Sequence, residues 1–152
     1  MEYVQKISNM ATLRHTGITI SSLGEPLIFY QTLGFKILTH SVESGKIIDK
    51  FSSIKGICVK IIKLIDEKGG MIELLYYISH LCRNKLNLKR QIIQIGISHI
   101  AFTVDNLDEL YKKLKKQGIK FNYPVQISED GKVKIAFCRD PDGNLCELVE
   151  EL

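Results

Sequence analysis

The chain has 152 residues, 45% of them hydrophobic and 25% charged, with a formal net charge of +4. That is enough chain and enough apolar content for one domain with a sizeable core, and it excludes a disordered or low-complexity class. The charge is too modest for a nucleic-acid partner, which would call for a basic stripe interleaved with stacking aromatics. No run approaches the roughly 20 apolar residues of a membrane span.

In chain order, the stretch from Met1 to Lys6 carries an acid and polar residues where a signal peptide needs an apolar core, so a cytoplasmic setting is expected. From His15 the residues alternate as a strand does, with His15, Gly17 and Thr19 on one face and Ile18 and Ile20 on the other. A helix follows, with Pro26 near its start and Gly34 where a left-handed cap is needed, and a second strand begins at Phe35. The stretch Asp66 to Leu75 reads as a turn and a strand carrying Glu73. A polar connector from about Ile78 to Gly96 holds a loose basic group, Arg83, Lys85, Lys89 and Arg90, which reads as a solvated linker.

Beyond the connector, His99, Ala101 and Thr103 share one strand face and Ile100, Phe102 and Val104 the other. Leu107, Leu110, Tyr111 and Leu114 have helical spacing, with Asp105 and Asp108 suited to the N-terminus and Gly118 to the C-terminal cap. Lys112, Lys113, Lys115 and Lys116 form the solvated face of that helix. Four cysteines, Cys58, Cys82, Cys138 and Cys146, contain no Cys-x-x-Cys pair, which argues against a zinc knuckle or a redox motif. Cys138 and Cys146 lie symmetrically about Asp142-Gly143 and are expected to face each other, reduced, across a hairpin.

The two halves repeat. At an offset of 84, His15 to Ile37 aligns without a gap on His99 to Phe121 with six identities in 23 positions: His15/His99, Thr19/Thr103, Leu23/Leu107, Glu25/Glu109, Gly34/Gly118 and Lys36/Lys120. At an offset of 74, Asp66, Gly69, Glu73 and Leu74 meet Asp140, Gly143, Glu147 and Leu148. The difference of ten residues places an insertion in the first copy around Ser44 to Ile57. Each copy reads as a strand, a helix and three strands, giving module 1 over about 12–78, a connector over about 79–95 and module 2 over about 96–152.

The repeat singles out four residues, His15 and Glu73, His99 and Glu147, with His at the start and Glu at the end of each copy. Two imidazoles and two carboxylates suit a divalent ion such as Ni, Zn, Co, Mn or Fe, and leave open positions for water or substrate oxygens. His40 and His80 have no repeat partner and read as surface or linker residues.

The segments Leu-Arg-His-Thr-Gly-Ile-Thr-Ile, Phe-Tyr-Gln-Thr-Leu-Gly-Phe, Ile-Glu-Leu-Leu-Tyr-Tyr, Ser-His-Ile-Ala-Phe-Thr-Val and Arg-Asp-Pro-Asp-Gly-Asn-Leu-Cys-Glu-Leu resemble the vicinal oxygen chelate superfamily. That group includes glyoxalase I, methylmalonyl-CoA epimerase, extradiol dioxygenases, fosfomycin-resistance proteins and bleomycin-binding proteins. The resemblance implies an α+β fold, two tandem βαβββ modules forming a curled mixed sheet around a metal site. It implies His15, Glu73, His99 and Glu147 as metal ligands, Glu147 as the base and Glu73 as ligand and partner acid.

The activity implied is that of a metal-dependent lyase or isomerase of glyoxalase I type, moving a proton between adjacent carbons of a chelated thiol adduct. The alternatives are an acyl-CoA epimerase and a non-catalytic small-molecule binding protein. A homodimer acting on a small-molecule substrate is expected. The Arg and Asn pattern that glutathione-dependent members use is not found, and neither Glu43 nor Asp49 matches the extra acid of the epimerases.

Overall fold

The computed structural model describes residues 11–81 and 91–152, in which the core-facing strands alternate in burial and the two helices that follow the first strand of each half bury a face on the core. The first half runs β1 (Thr16–Thr19), α1 (Glu25–Thr32), β2 (Lys36–Ser44), α2 (Lys46–Ser52), β3 (Cys58–Ile65) and β4 (Met71–Tyr77). The second runs β5 (Ile100–Thr103), α3 (Leu107–Lys116), β6 (Gln126–Ile127), β7 (Val133–Arg139) and β8 (Leu145–Glu151). Each half makes a four-stranded mixed sheet, ordered β1-β4-β3-β2 and β5-β8-β7-β6. The fold is therefore α+β, with the first strand of each half lying parallel to its last.

The strand faces divide as alternation predicts. Ile18 and Ile20 are buried while Gly17 and Thr19 are exposed, and in β4 Ile72 and Leu74 are buried on either side of Glu73. One core joins the two halves: Ile18, Phe29, Tyr30, Leu64 and Leu74 pack in the same cluster as Leu107, Leu114, Cys138, Cys146 and Leu148. Leu107 and Leu114 are two helical turns apart, which is why one stripe of α3 buries while Lys112, Lys113, Lys115 and Lys116 stay exposed.

The junction of the halves is polar as well as apolar. The Tyr30 hydroxyl donates to Asp140 Oδ2 at 2.7 Å, and the Ser21 amide donates to Asp142 Oδ2 at 2.9 Å. Asp140 also shapes the β7–β8 turn, where its Oδ1 accepts from the Asp142 and Asn144 amides at 3.0 and 2.7 Å. Asp66 does the same in the first half, its Oδ1 accepting from the Lys68 and Gly70 amides, each at 2.8 Å. Gly69 and Gly143, with φ of 89° and 99°, supply the left-handed residue both turns need. The repeat at offset 74 is thus a repeated turn as well as a repeated strand.

Four details depart from the sequence reading or lie beyond it. The insertion around Ser44 to Ile57 contains the short helix α2, whose Asp49 carboxylate accepts from the Gly56 and Ile57 amides and so ties the loop back onto it. The second copy's edge strand, the counterpart of β2, shrinks to the two residues of β6, preceded by an isolated bridge from Phe121 to Cys138; Pro124, lacking an amide donor, interrupts the ladder between them. The cap of α3 is Asn106, whose Oδ1 accepts from the Glu109 amide at 3.0 Å, while Asp108 stands in the first turn. Arg83, Lys85, Lys89, Arg90 and Cys82 lie outside the described residues.

Cys138 and Cys146 are direct cross-strand partners, fully buried and free. Burial pushes the Cys138 thiol up to about 12, with the Asp140 charge adding to it, and burial likewise holds the Cys146 thiol well above the usual range. No helix among the described residues is long and apolar enough to cross a membrane.

Candidate metal centre

His15 and His99 each stand one residue before the first strand of their half. The parallel registers then place them alike: Gly17 lies opposite Glu73, and Ala101 opposite Glu147. Strand parity carries each histidine to the same side of its sheet as the glutamate. The result is two equivalent pairs, His15 Nε2 to Glu73 Oε2 at 3.3 Å and His99 Nε2 to Glu147 Oε2 at 3.1 Å. The four side chains are partly buried, at 31% and 13% exposure for the first pair and 29% and 21% for the second.

Two donors bound side by side on one ion, each at roughly 2.1 Å, stand about 3 Å apart. Both pairs have that spacing, and imidazole with carboxylate is a suitable donor set for a first-row divalent ion. Ser98 Oγ lies 2.8 Å from His99 Nδ1, the kind of partner that fixes a ligating histidine with its Nε2 lone pair outward. His15 Nδ1 is buried with no hydrogen-bond partner among the described residues. Each pair therefore fits two adjacent positions in the shell of a divalent ion.

The single chain does not gather all four. Among the described residues no three His, Cys, Asp or Glu side chains come close enough to hold one ion, so the two pairs stand apart as candidate half-sites. A cavity of about 350 Å³ opens between β1 and β5, lined by Thr16, Ser21, His99, Arg139, Asp142 and Asn144. It reaches His99 alone of the four. Asp142 Oδ1 is buried beside it with no hydrogen-bond partner among the described residues.

The half-sites are not identical. Lys63 lies directly across from Glu73 on β3, its Nζ 3.3 Å from Glu73 Oε1. Phe137 takes the matching place across from Glu147, and its ring meets the His99 ring edge to face at a centroid distance of 5.5 Å. Sequence reasoning did not single out either residue, although the offset of 74 that relates the turns also relates Lys63 to Phe137. His40 and His80 are exposed, as unpaired histidines in the repeat should be.

Residues 12–148 match the Glyoxalase/Bleomycin resistance protein/Dioxygenase superfamily. A lactoylglutathione lyase of Schizosaccharomyces pombe is 42% identical over 57 residues, which is 37% of this chain and 18% of that protein. The chain spans well under two thirds of the length of the curated relatives it matches. Among solved structures, a glyoxalase family protein from Bacillus cereus superposes with a TM-score of 0.80 at 20% identity, covering 100% of this chain and 99% of that one. The fosfomycin resistance protein FosX of Listeria monocytogenes, as a glutamate-to-glutamine variant complexed with Mn(II) and a dihydroxypropylphosphonic acid, superposes with a TM-score of 0.61 at 18% identity, covering 92% and 90% of the two chains. At those identities the structures speak for the fold, and the match over residues 12–148 speaks for the family: the chain belongs to the Glyoxalase/Bleomycin resistance protein/Dioxygenase superfamily.

Proposed function

We propose that the protein is a divalent-metal-dependent lyase or isomerase of glyoxalase I type, and that His15, Glu73, His99 and Glu147 hold the ion. The observation that carries this reading is the pair of equivalent half-sites, each with its nitrogen and oxygen donors 3.1–3.3 Å apart. Lactoylglutathione lyases among the matched relatives, and Mn(II) in the FosX complex, favour the same chemistry. When bound, the ion draws electron density from two adjacent substrate oxygens and so lowers the cost of negative charge there. Glu147 takes the proton from the carbon beside the carbonyl and returns it to the neighbouring carbon, while Glu73 remains a holding group.

The protein works as a homodimer in this reading, with the first half-site of one chain facing the second half-site of its partner. Separate half-sites in one chain call for a second copy. The exposed apolar residues Leu38 and Val42 on β2 and Ile47 and Phe51 on α2 give that copy a surface to cover.

Elemental analysis of the purified protein tests the site. One divalent ion per chain is expected, lost in folded His99→Ala and His15→Ala variants. Full occupancy in either variant would remove that histidine from the site. The reaction is tested by offering the hemithioacetal of a 2-oxoaldehyde with a small thiol, against a 2-methyl acyl-CoA as the epimerase control. Turnover of the second substrate alone would replace the lyase with an epimerase.

A further inference from the structure

The two half-sites differ at one pair of matched positions. Opposite Glu73, β3 places Lys63, and opposite Glu147, β7 places Phe137. Glu73 consequently has a neighbour on each oxygen: Lys63 Nζ on Oε1 and His15 Nε2 on Oε2, both at 3.3 Å. Among the described residues Glu147 has an ion-pair contact on one oxygen alone, from His99 at 3.1 Å. Phe137 packs its ring on the His99 ring and brings no charge. A carboxylate held at both ends loses more contact energy on turning than one held at a single end. The Lys63 amine is partly screened, its side chain being 37% exposed, so its effect is a bias of moderate size.

We propose that Lys63 is a positioning residue that confines Glu73 to a single donor oxygen and so makes the two halves of the metal site unequal. The proposal rests on the reading that the two pairs hold a divalent ion. It supplies a physical reason for the division of labour between the acids: Glu73 is anchored, and Glu147, beside a neutral ring, is the one free to swing. The internal repeat supplies two like carboxylates, and one strand position in each copy tells them apart.

The test needs no substrate. Ni(II) is titrated calorimetrically into the full-length wild type and into Lys63→Met, Lys63→Arg, Phe137→Lys and Phe137→Met variants. Lys63→Met removes a positive charge beside a dication and frees the second oxygen of Glu73, so binding tightens on the order of three- to tenfold. Lys63→Arg keeps the charge and restores wild-type affinity. Phe137→Lys installs the same restraint on Glu147 and binds more weakly than Phe137→Met, which controls for loss of the ring. A Lys63→Met variant that binds as the wild type or more weakly overturns the proposal, as does a Phe137→Lys variant indistinguishable from Phe137→Met. A wild-type protein that takes up no Ni(II), or a His99→Ala variant that binds it undiminished, overturns the metal reading and this proposal together.

Discussion

Replacing Tyr30 by Phe removes one hydroxyl from the joint between the two halves and leaves the ring in place. Tyr30 is fully buried, and its ring meets Phe29 at a centroid distance of 5.0 Å and Phe102 at 6.3 Å, contacts that phenylalanine keeps. What disappears is the 2.7 Å bond to Asp140 Oδ2, leaving that oxygen with the Asn144 amide group at 2.8 Å. A buried hydrogen bond to a charged acceptor is worth about 1.5–3 kcal/mol. For a chain of this length each kcal/mol moves the unfolding midpoint by about 2–4 °C, so the loss is about 3–12 °C. Differential scanning calorimetry at fixed protein concentration reads it, with Tyr123→Phe, at 70% exposure, as a control expected to lie within about 0.5 kcal/mol of wild type. A Tyr30→Phe variant as stable as that control would mean that Asp140 is held by its own turn and that the Tyr30 hydroxyl adds nothing to the joint between the halves.

If each ion is held between two chains, His15→Ala and His99→Ala proteins, each metal-free alone, regain about a quarter of the sites when unfolded together and refolded, because one of the two sites in every mixed dimer is intact; no recovery refutes the shared site. At saturating metal, Glu147→Gln lowers turnover on the order of 100-fold to 10,000-fold, while Glu73→Gln is milder, and equal losses would make the two acids interchangeable. Because burial raises the Cys138 thiol to about 12 in the folded state, the stability it contributes is complete below the unfolded thiol's range and is lost as pH rises toward that value. Tyr30, pushed up by burial and by Asp140, acts in the same direction. The urea midpoint therefore falls between about pH 8 and about pH 10.5, and an unchanged midpoint contradicts the assignment.

Much of this architecture is written locally. A period of two around His15 and His99 told which residues share a face, and the structure buries Ile18 and Ile20 accordingly. The glycines at 34 and 118 marked the helix ends, and both adopt the left-handed conformation, with φ of 103° and 83°. The repeat singled out His15 and Glu73, His99 and Glu147 as equivalent members of the two copies. These features depend on spacing along the chain, which the sequence states outright.

The remaining features depend on register and on contacts between distant segments. That Lys63 stands across from Glu73, and Phe137 across from Glu147, follows from how the antiparallel ladders are hydrogen-bonded, and a slip of one residue would send each to the other face. The Tyr30–Asp140 bond joins residues 110 apart, and no local pattern announces it. The shortened β6, the helix α2 and the separation of the two His–Glu pairs within one chain are likewise outcomes of packing. Periodicity assigned each side chain to a face; only the assembled sheets decided which neighbour it met there, because that neighbour comes from another strand.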